Sequence, residues 1–217
     1  MDYKNKLTYA LPIIIVFVFL LVVHRGLMVE QPGDENVYYY MAKLVAEGKP
    51  PYKDFFYAHP PLHIYLLALI YGISGFNIII LKLVPLISSL IAAFFMYKIT
   101  KAKFGANEAL IAMILFLFSY TIMFNSVFSF GIMTATMFLV IGYYCFVVKN
   151  SYLATGIFFG LAGITRLLAL LPIAVLLFLS AISNRKNFLK LSSSFLAFFL
   201  SVNILFILLA GSSYTGS

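Results

Sequence analysis

The apolar positions of the chain fall into long runs separated by short polar joints, and most runs approach membrane length. Seven are candidate bilayer spans: 8–28, 77–98, 108–126, 130–148, 151–165, 167–184 and 189–210. A helix rises 1.5 Å per residue and the hydrocarbon core is about 30 Å thick, so crossing takes about 20 apolar residues. The first run, YALPIIIVFVFLLVV, exceeds a signal-peptide core and no small-residue cleavage site follows it, so it is expected to remain as an anchor. The fifth and sixth runs are short and meet at Thr165-Arg166, with a single long tilted helix as the alternative reading.

Residues 29–76 break this pattern. They hold five of the seven acidic residues, two of the three histidines, and the pairs Pro32-Gly33, Pro50-Pro51 and Pro60-Pro61. The segment predicts two short helices at the membrane surface. In 34–47, Val37, Met41, Leu44 and Val45 recur at helical spacing, with Lys43 and Glu47 on other faces. The second, 61–74, starts at a proline pair, as a helix can, and its 14 residues are too few to cross. Gly72, Ser74, Gly75 and Asn77 interrupt it before the next span.

Composition sharpens the class. Of 217 residues, 63% are apolar and 10% charged, against roughly 25% charged in a soluble domain. That excludes both a soluble globular enzyme and a disordered chain. The lone Cys145 excludes a disulfide framework and a multi-cysteine metal site. The net charge of +8 comes from basic residues placed singly or in pairs at the ends of apolar runs, a membrane pattern, so no nucleic-acid partner is expected. The expected fold is all-α: a polytopic membrane protein of about seven transmembrane helices, residues 1–217 forming one module without a soluble domain. With the N-terminus cytoplasmic, nine Lys and Arg fall inside and six outside, which favours that orientation and puts 29–76 on the extracytoplasmic face.

Several residues carry candidate chemistry. Asp34-Glu35 opens the first outer loop beside an apolar wall. A carboxylate held there suits a general base taking a proton from an attacking hydroxyl; it equally suits a helix start, with Asp34 as N-cap and Glu35 in the first turn. His59 offers a hydrogen bond to a phosphate or an acceptor. A metal shared by His59 and His63 is not expected, because Pro60-Pro61 separates them and reads as a rigid helix entry. Arg166, the only basic residue between Ser151 and Asn184, suits a phosphate with its planar fork, or else snorkels to the interface. Lys82 reads as snorkelling. Gly156, Gly160 and Gly163 read as a helix-packing stripe rather than a phosphate loop. Tyr38, Tyr39 and Tyr40 read as interfacial mass, and Asn125, Ser126 and Ser129 as loop residues.

The ordered set over about 130 residues resembles the type C integral-membrane glycosyltransferases, in the branch of the protein O-mannosyltransferases and lipid A aminoarabinose transferases. The resemblance rests on Asp34-Glu35, on Tyr52-x-Asp54, on His59-Pro60-Pro61-Leu62 before a surface helix, and on Arg166 after a glycine-rich helix. It implies transfer of a sugar from a polyprenyl-phosphate donor at the extracytoplasmic face, with inversion. Asp34 is then the base and Glu35 its support; Arg166, with Lys53 or His59, holds the donor phosphate. Tyr52, Asp54, Pro60 and Pro61 shape the loop. No cofactor is expected, a divalent metal being the less favoured alternative. The implied partners are the lipid-linked donor, membrane lipids and an acceptor of unspecified kind. Two departures stand out. Relatives carry a further acidic residue where this chain reads Ser129-Phe130-Gly131-Ile132-Met133, and they continue past the point where this chain ends at Ser217. An incomplete module needing an additional protein subunit is therefore expected. The alternative is a non-catalytic membrane scaffold or lipid-binding subunit with the same fold. A solute transporter fits less well, because no inverted repeat is visible.

Overall fold

The computed structural model describes residues 3–30 and 33–210, with side chains over 10–30 and 33–208. The described chain is helical throughout, its one β feature being an isolated bridge between Pro51 and Phe55. α1 spans Tyr3–Leu27, α2 Asp34–Ala46, α3 Leu62–Ser74, α4 Ile78–Lys103, α5 Ala106–Leu117 and α6 Tyr120–Val127. α7 spans Ile132–Val147 and α8 Tyr152–Gly163. A 3₁₀ turn at Leu167–Ala169 leads into α9, Leu170–Ser183, and α10 is Arg185–Ala210. The two short helices expected in the outer loop are α2 and α3.

The apolar surface is turned outward, as in a chain whose solvent is lipid: Ile13, Ile73, Leu171 and Leu208 are all at least two-thirds exposed (67–81%). Among the described residues three helices, α1, α4 and α10, are long and apolar enough to cross a bilayer alone. A fourth crossing is available if α5 and α6, bent by 61° between them, count as one broken span. All seven expected runs are helical, as α1, α4, the α5–α6 pair, α7, α8, the 3₁₀ turn with α9, and α10. α7, α8 and Leu167–Ser183 are apolar but shorter than 18 residues. The backbone breaks lie at or next to the joints between the expected runs, apart from the bend at Phe118-Ser119, which falls inside 108–126. Phe128 is extended, Gly131 is left-handed at φ 77°, and Arg166 is extended at φ −150°, ψ 128°. The extended Arg166 also settles the alternative of one continuous helix through 151–184.

α4 is the central helix: 44% of its apolar stretch is buried, against 11% for α1 and α10. Asn77 caps it by accepting a hydrogen bond from Ile80 N at 3.2 Å, satisfying a backbone donor that the first turn leaves free. Three cores surround it. One joins α2, α3 and the loop between them through Tyr39, Tyr57, Ile64 and Leu67. A second joins α1 to α4, α5 and α6 through Phe19, Ala93, Met113 and Leu117. The third joins α7 to α10 through Phe159, Ile173, Leu191 and Phe195.

The glycine stripe of α8 is what lets the third core close. A Cβ on Gly156 would stand 2.1 Å from Ser194 Oγ and 2.6 Å from the Phe195 backbone nitrogen. At Gly160 it would meet Phe198 at 2.4 Å, and across the α7 interface a Cβ on Gly142 would meet Phe159 at 2.6 Å. Small residues here admit the close backbone approach that drives helix association where water supplies no force. We expect Gly156→Val to push α8 off α10 and to lower stability by about 1–3 kcal/mol or more. Gly72→Ala, at an exposed position with open space around it, should be neutral or slightly stabilising. Thermal unfolding of the detergent-solubilised variants checks both.

Candidate functional site: a cleft between Asp34 and Arg166

α2 begins abruptly. Gly33 turns the chain at φ 113°, where a side chain would be strained, and Asp34 is the first helical residue. Asp34 makes no capping hydrogen bond, so the expected N-cap role falls to Gly33, which has no side chain to supply one. A helix turns about 100° per residue, and this sends the two adjacent carboxylates to different places. Asp34 is exposed and lines a cleft of about 600 Å³. Glu35 is 1% exposed and points into the protein.

Glu35 is held on three sides. Its Oε1 accepts from Tyr39 OH at 2.8 Å and from Ser129 N at 2.9 Å, and its Oε2 lies 3.3 Å from Lys82 Nζ. Lys82 is fully buried rather than snorkelling. It donates to the carbonyls of Gly26 and Val29 and sits 4.5 Å over the Phe128 ring. Glu35 therefore does not stand beside Asp34 in the cleft. It fixes the first turn of α2 against α4 and the α6–α7 link, and Ser129 is part of that lock rather than a plain loop residue. Asn125 and Ser126 are likewise buried within α6.

Across the cleft from α2 stands Arg166, half-buried in the extended step between α8 and the 3₁₀ turn. Its guanidinium lies 5.3 Å from the Tyr38 ring centroid and donates to Tyr38 OH at 3.3 Å, while its Nε is buried without a hydrogen-bond partner. Among the described residues no ion pair joins it to Asp34. Tyr38 is buried and acts as an aromatic hub, with His59 and His63 each at 5.8 Å and Tyr57 at 6.3 Å. The remaining cleft wall is mostly apolar, including Phe124, Phe130, Leu139 and Leu168, with Asn125 and Thr136 the other polar groups.

His59 lines the cleft on one side and a smaller cavity of about 180 Å³ on the other. Burial, reinforced by the Arg166 charge and opposed by Asp34, lowers its pKa, so the imidazole is neutral at neutral pH. His63 is fully buried 3.0 Å from Ser129 O. A carbonyl only accepts, so Nε2 carries the proton; burial pushes this imidazole's pKa down to about 3. Gly131 makes room for it: a Cβ there would stand 2.8 Å from His63 Cγ.

The loop residues divide. Tyr52 is buried at φ 69° and its hydroxyl donates to His59 O at 2.6 Å, which positions His59. Pro60 and buried Pro61 lead into α3, and Leu62 N donates to Ile164 O at 3.1 Å, tying the loop to the end of α8. Lys53 and Asp54 are exposed and stand outside the cleft wall. Tyr38 and Tyr39, expected at the interface, are buried; of the three tyrosines only Tyr40 is exposed. The expected apolar face of α2 is also rotated, since Val37 is exposed while Glu35, Tyr38, Tyr39 and Ala42 are buried. The signal for Tyr38 was its spacing, four residues after Asp34 and so on the same helical face. Among the described residues no group of three or more His, Cys, Asp or Glu side chains is placed to hold a metal ion.

Residues 58–210 match the family model described as dolichyl-phosphate-mannose-protein mannosyltransferase. No curated protein and no solved structure matches the chain. The matched segment contains His59, Lys82 and Arg166; Asp34 and Glu35 precede it.

Removing one partner of a buried ion pair strands the other charge, at about 3–5 kcal/mol. Lys82→Met should therefore destabilise the protein strongly. Glu35→Gln combined with Lys82→Met should recover much of that loss, because no charge is then left buried. Denaturation midpoints of the wild type, both single variants and the double variant give the coupling.

Proposed function

Because the chain belongs to the dolichyl-phosphate-mannose-protein mannosyltransferase family and is an integral-membrane glycosyltransferase of the mannosyltransferase type, we propose that it transfers a sugar from a polyprenyl-phosphate-linked donor to a lipid, glycan or protein hydroxyl at the extracytoplasmic face. The observation that carries this reading is the cleft itself: one carboxylate, one guanidinium with an unsatisfied buried donor, and an apolar wall share a single space.

In this reading the acceptor hydroxyl binds beside Asp34, whose carboxylate takes its proton as the oxygen attacks the anomeric carbon. The bond from that carbon to the phosphate oxygen breaks, and the polyprenyl phosphate leaves with the electron pair. A single displacement inverts the anomeric configuration. Arg166 receives the leaving charge. Its fork matches phosphate oxygens, and in apolar surroundings the contact is stronger than in water. Tyr38 holds the guanidinium by its ring and hydroxyl. Neutral His59 is a hydrogen-bonding group for the phosphate or the acceptor rather than a second fixed charge. Phe124, Phe130, Leu139 and Leu168 provide the apolar side on which a lipid-linked donor rests. No cofactor takes part.

Asp34→Asn should lower turnover of a lipid-linked sugar by about 10²–10⁴-fold while leaving thermal stabilisation by a polyprenyl phosphate intact. Arg166→Ala should lose that stabilisation. Undiminished turnover by Asp34→Asn removes the base assignment; wild-type lipid binding without any turnover supports the scaffold alternative. Orientation is tested separately in a Cys145→Ser background. Lys53→Cys should label with an impermeant thiol reagent on intact cells, and Lys103→Cys only after permeabilisation.

A further inference from the structure

α7 and α9 both start at the cleft, where Ile132, Thr136 and Ala169 line it, and both end at a separate cavity of about 280 Å³. α9 alone has 14 residues, about 21 Å at 1.5 Å each, more than half of a hydrocarbon core about 30 Å thick. The two spaces therefore belong to opposite leaflets.

Polar groups fill one side of this cavity: Tyr143 from α7, Ser180 and Ser183 from α9, and Asn184 and Asn187 from the turn into α10. Ser180 is 6% exposed, and its hydroxyl is buried with no hydrogen-bond partner among the described residues. Ser89, Ser126 and Ser192, in other helices, return their hydroxyls to the carbonyl three or four residues back, as a helical serine can. Ser180 does not, which leaves a buried donor at the cavity wall, and such a donor is costly unless something answers it. Asn184 uses its side-chain oxygen to accept from Lys186 N and Asn187 N, so its NH₂ group is what it offers a ligand.

The charges around the cavity are of one sign. Arg185 and Lys186 sit between the wall residues Asn184 and Asn187 in the chain and are exposed. Lys190, one turn further along α10, lies 5.8 Å from the Tyr152 ring centroid, and Tyr152 meets Phe146 of the cavity wall edge-on at 6.0 Å. No acidic side chain lines the cavity, and among the described residues no ion pair engages these three cations.

We propose that this cavity takes the phosphate headgroup of one anionic phospholipid from the leaflet opposite the Asp34 cleft. Hydroxyl and amide donors, three nearby cations and no carboxylate select an anion. Size and the rest of the wall select a lipid. The space is smaller than the roughly 300–1,000 Å³ of pockets that enclose a drug-sized molecule, so the headgroup alone enters. Phe146, Leu176 and Leu179 line its other side. Leu179 continues into an exposed apolar face of α9 with Val175, Phe178 and Ile182, at helical spacing. The acyl chains lie along that face. The site takes no part in the transfer reaction.

The test is thermal unfolding of the purified full chain in detergent, titrated with dioleoyl phosphatidylglycerol, dioleoyl phosphatidylcholine or soluble glycerol phosphate. A cation near an anionic headgroup contributes a factor of about five, so phosphatidylglycerol should act at roughly 25-fold lower concentration than phosphatidylcholine or less. Arg185→Gln with Lys186→Gln should remove about 25-fold of that preference. Lys98→Gln with Lys103→Gln removes the same charge from the end of α4, outside this cavity, and should leave the preference unchanged. Ser180→Ala distinguishes a ligand-facing hydroxyl from a merely packed one. Without lipid it should melt at the same temperature as wild type or higher, because an unanswered buried donor is gone. It should nonetheless need roughly tenfold more phosphatidylglycerol, the worth of a hydrogen bond to a charged group. Glycerol phosphate, lacking acyl chains, should act only at roughly 100-fold higher concentration than phosphatidylglycerol or more. Equal midpoints for the two phospholipids in the wild type overturn the proposal. So does a preference that survives loss of Arg185 and Lys186, or one that falls as much with Lys98 and Lys103. An unchanged phosphatidylglycerol requirement in Ser180→Ala overturns it too, and glycerol phosphate as potent as phosphatidylglycerol overturns the lipid as occupant.

Discussion

The buried pair of Glu35 and Lys82 is the interaction on which the arrangement of the cleft depends. Two charges removed from water into an apolar surround are costly unless every remaining donor and acceptor is answered. Here nearly all are: Glu35 by Tyr39 OH and Ser129 N, Lys82 by two carbonyls at the end of α1. The pair joins four pieces of chain: the end of α1, the first turn of α2, the first turns of α4 and the α6–α7 link. Because Glu35 is fixed inward, Asp34 is fixed outward. The adjacent carboxylate is thus aimed by its neighbour's burial, and a side chain that never enters the cleft governs what the cleft contains.

The other wall is positioned by a different force. α8 carries no charge to pair, and its place is set by close packing: the α10 backbone approaches at Gly156, the Phe198 ring fills the space at Gly160, and the Phe159 ring that at Gly142 of α7. Close packing against α7 and α10 leaves the end of α8 rigid, and the chain leaves it in an extended step at Arg166. Leu62 N on Ile164 O then ties this end to the loop between α2 and α3. Arg166 is consequently presented to the cleft from a stiff support, with Tyr38 beneath it. The cleft lies where an ion-pair-locked half meets a glycine-packed half, and each contributes one of the two opposite charges.

The aromatic groups between the halves do more than fill space. Tyr38 touches the guanidinium, both loop histidines and Tyr57. Burial keeps both imidazoles neutral near neutral pH, so Arg166 is the one permanent cation on the cleft wall among the described residues. An anionic donor entering from the apolar side would meet a single fixed positive charge, and a hydroxyl acceptor a single fixed carboxylate.

Much of this was legible in the sequence. The all-α membrane class followed from the apolar runs, the two loop helices from the proline and glycine punctuation, and the glycine stripe from its spacing. Asp34 and Arg166 stood out as charges at the ends of apolar segments. These are local properties, set by a residue and its near neighbours, and they survive reading along one dimension. The joints near Phe128 and at Arg166 were legible too, but the bend at Ser119 inside the run 108–126 was not, because hydropathy is continuous across an extended backbone step. Nor was the division of labour between Asp34 and Glu35, the burial of Lys82 and Tyr38, or the part played by Ser129. Ser129 N meets Glu35 across 94 residues and Arg166 meets Tyr38 across 128. Which face of α2 is buried is decided at those distant partners, since in an apolar interior a charged or polar side chain settles wherever its complement lies in space.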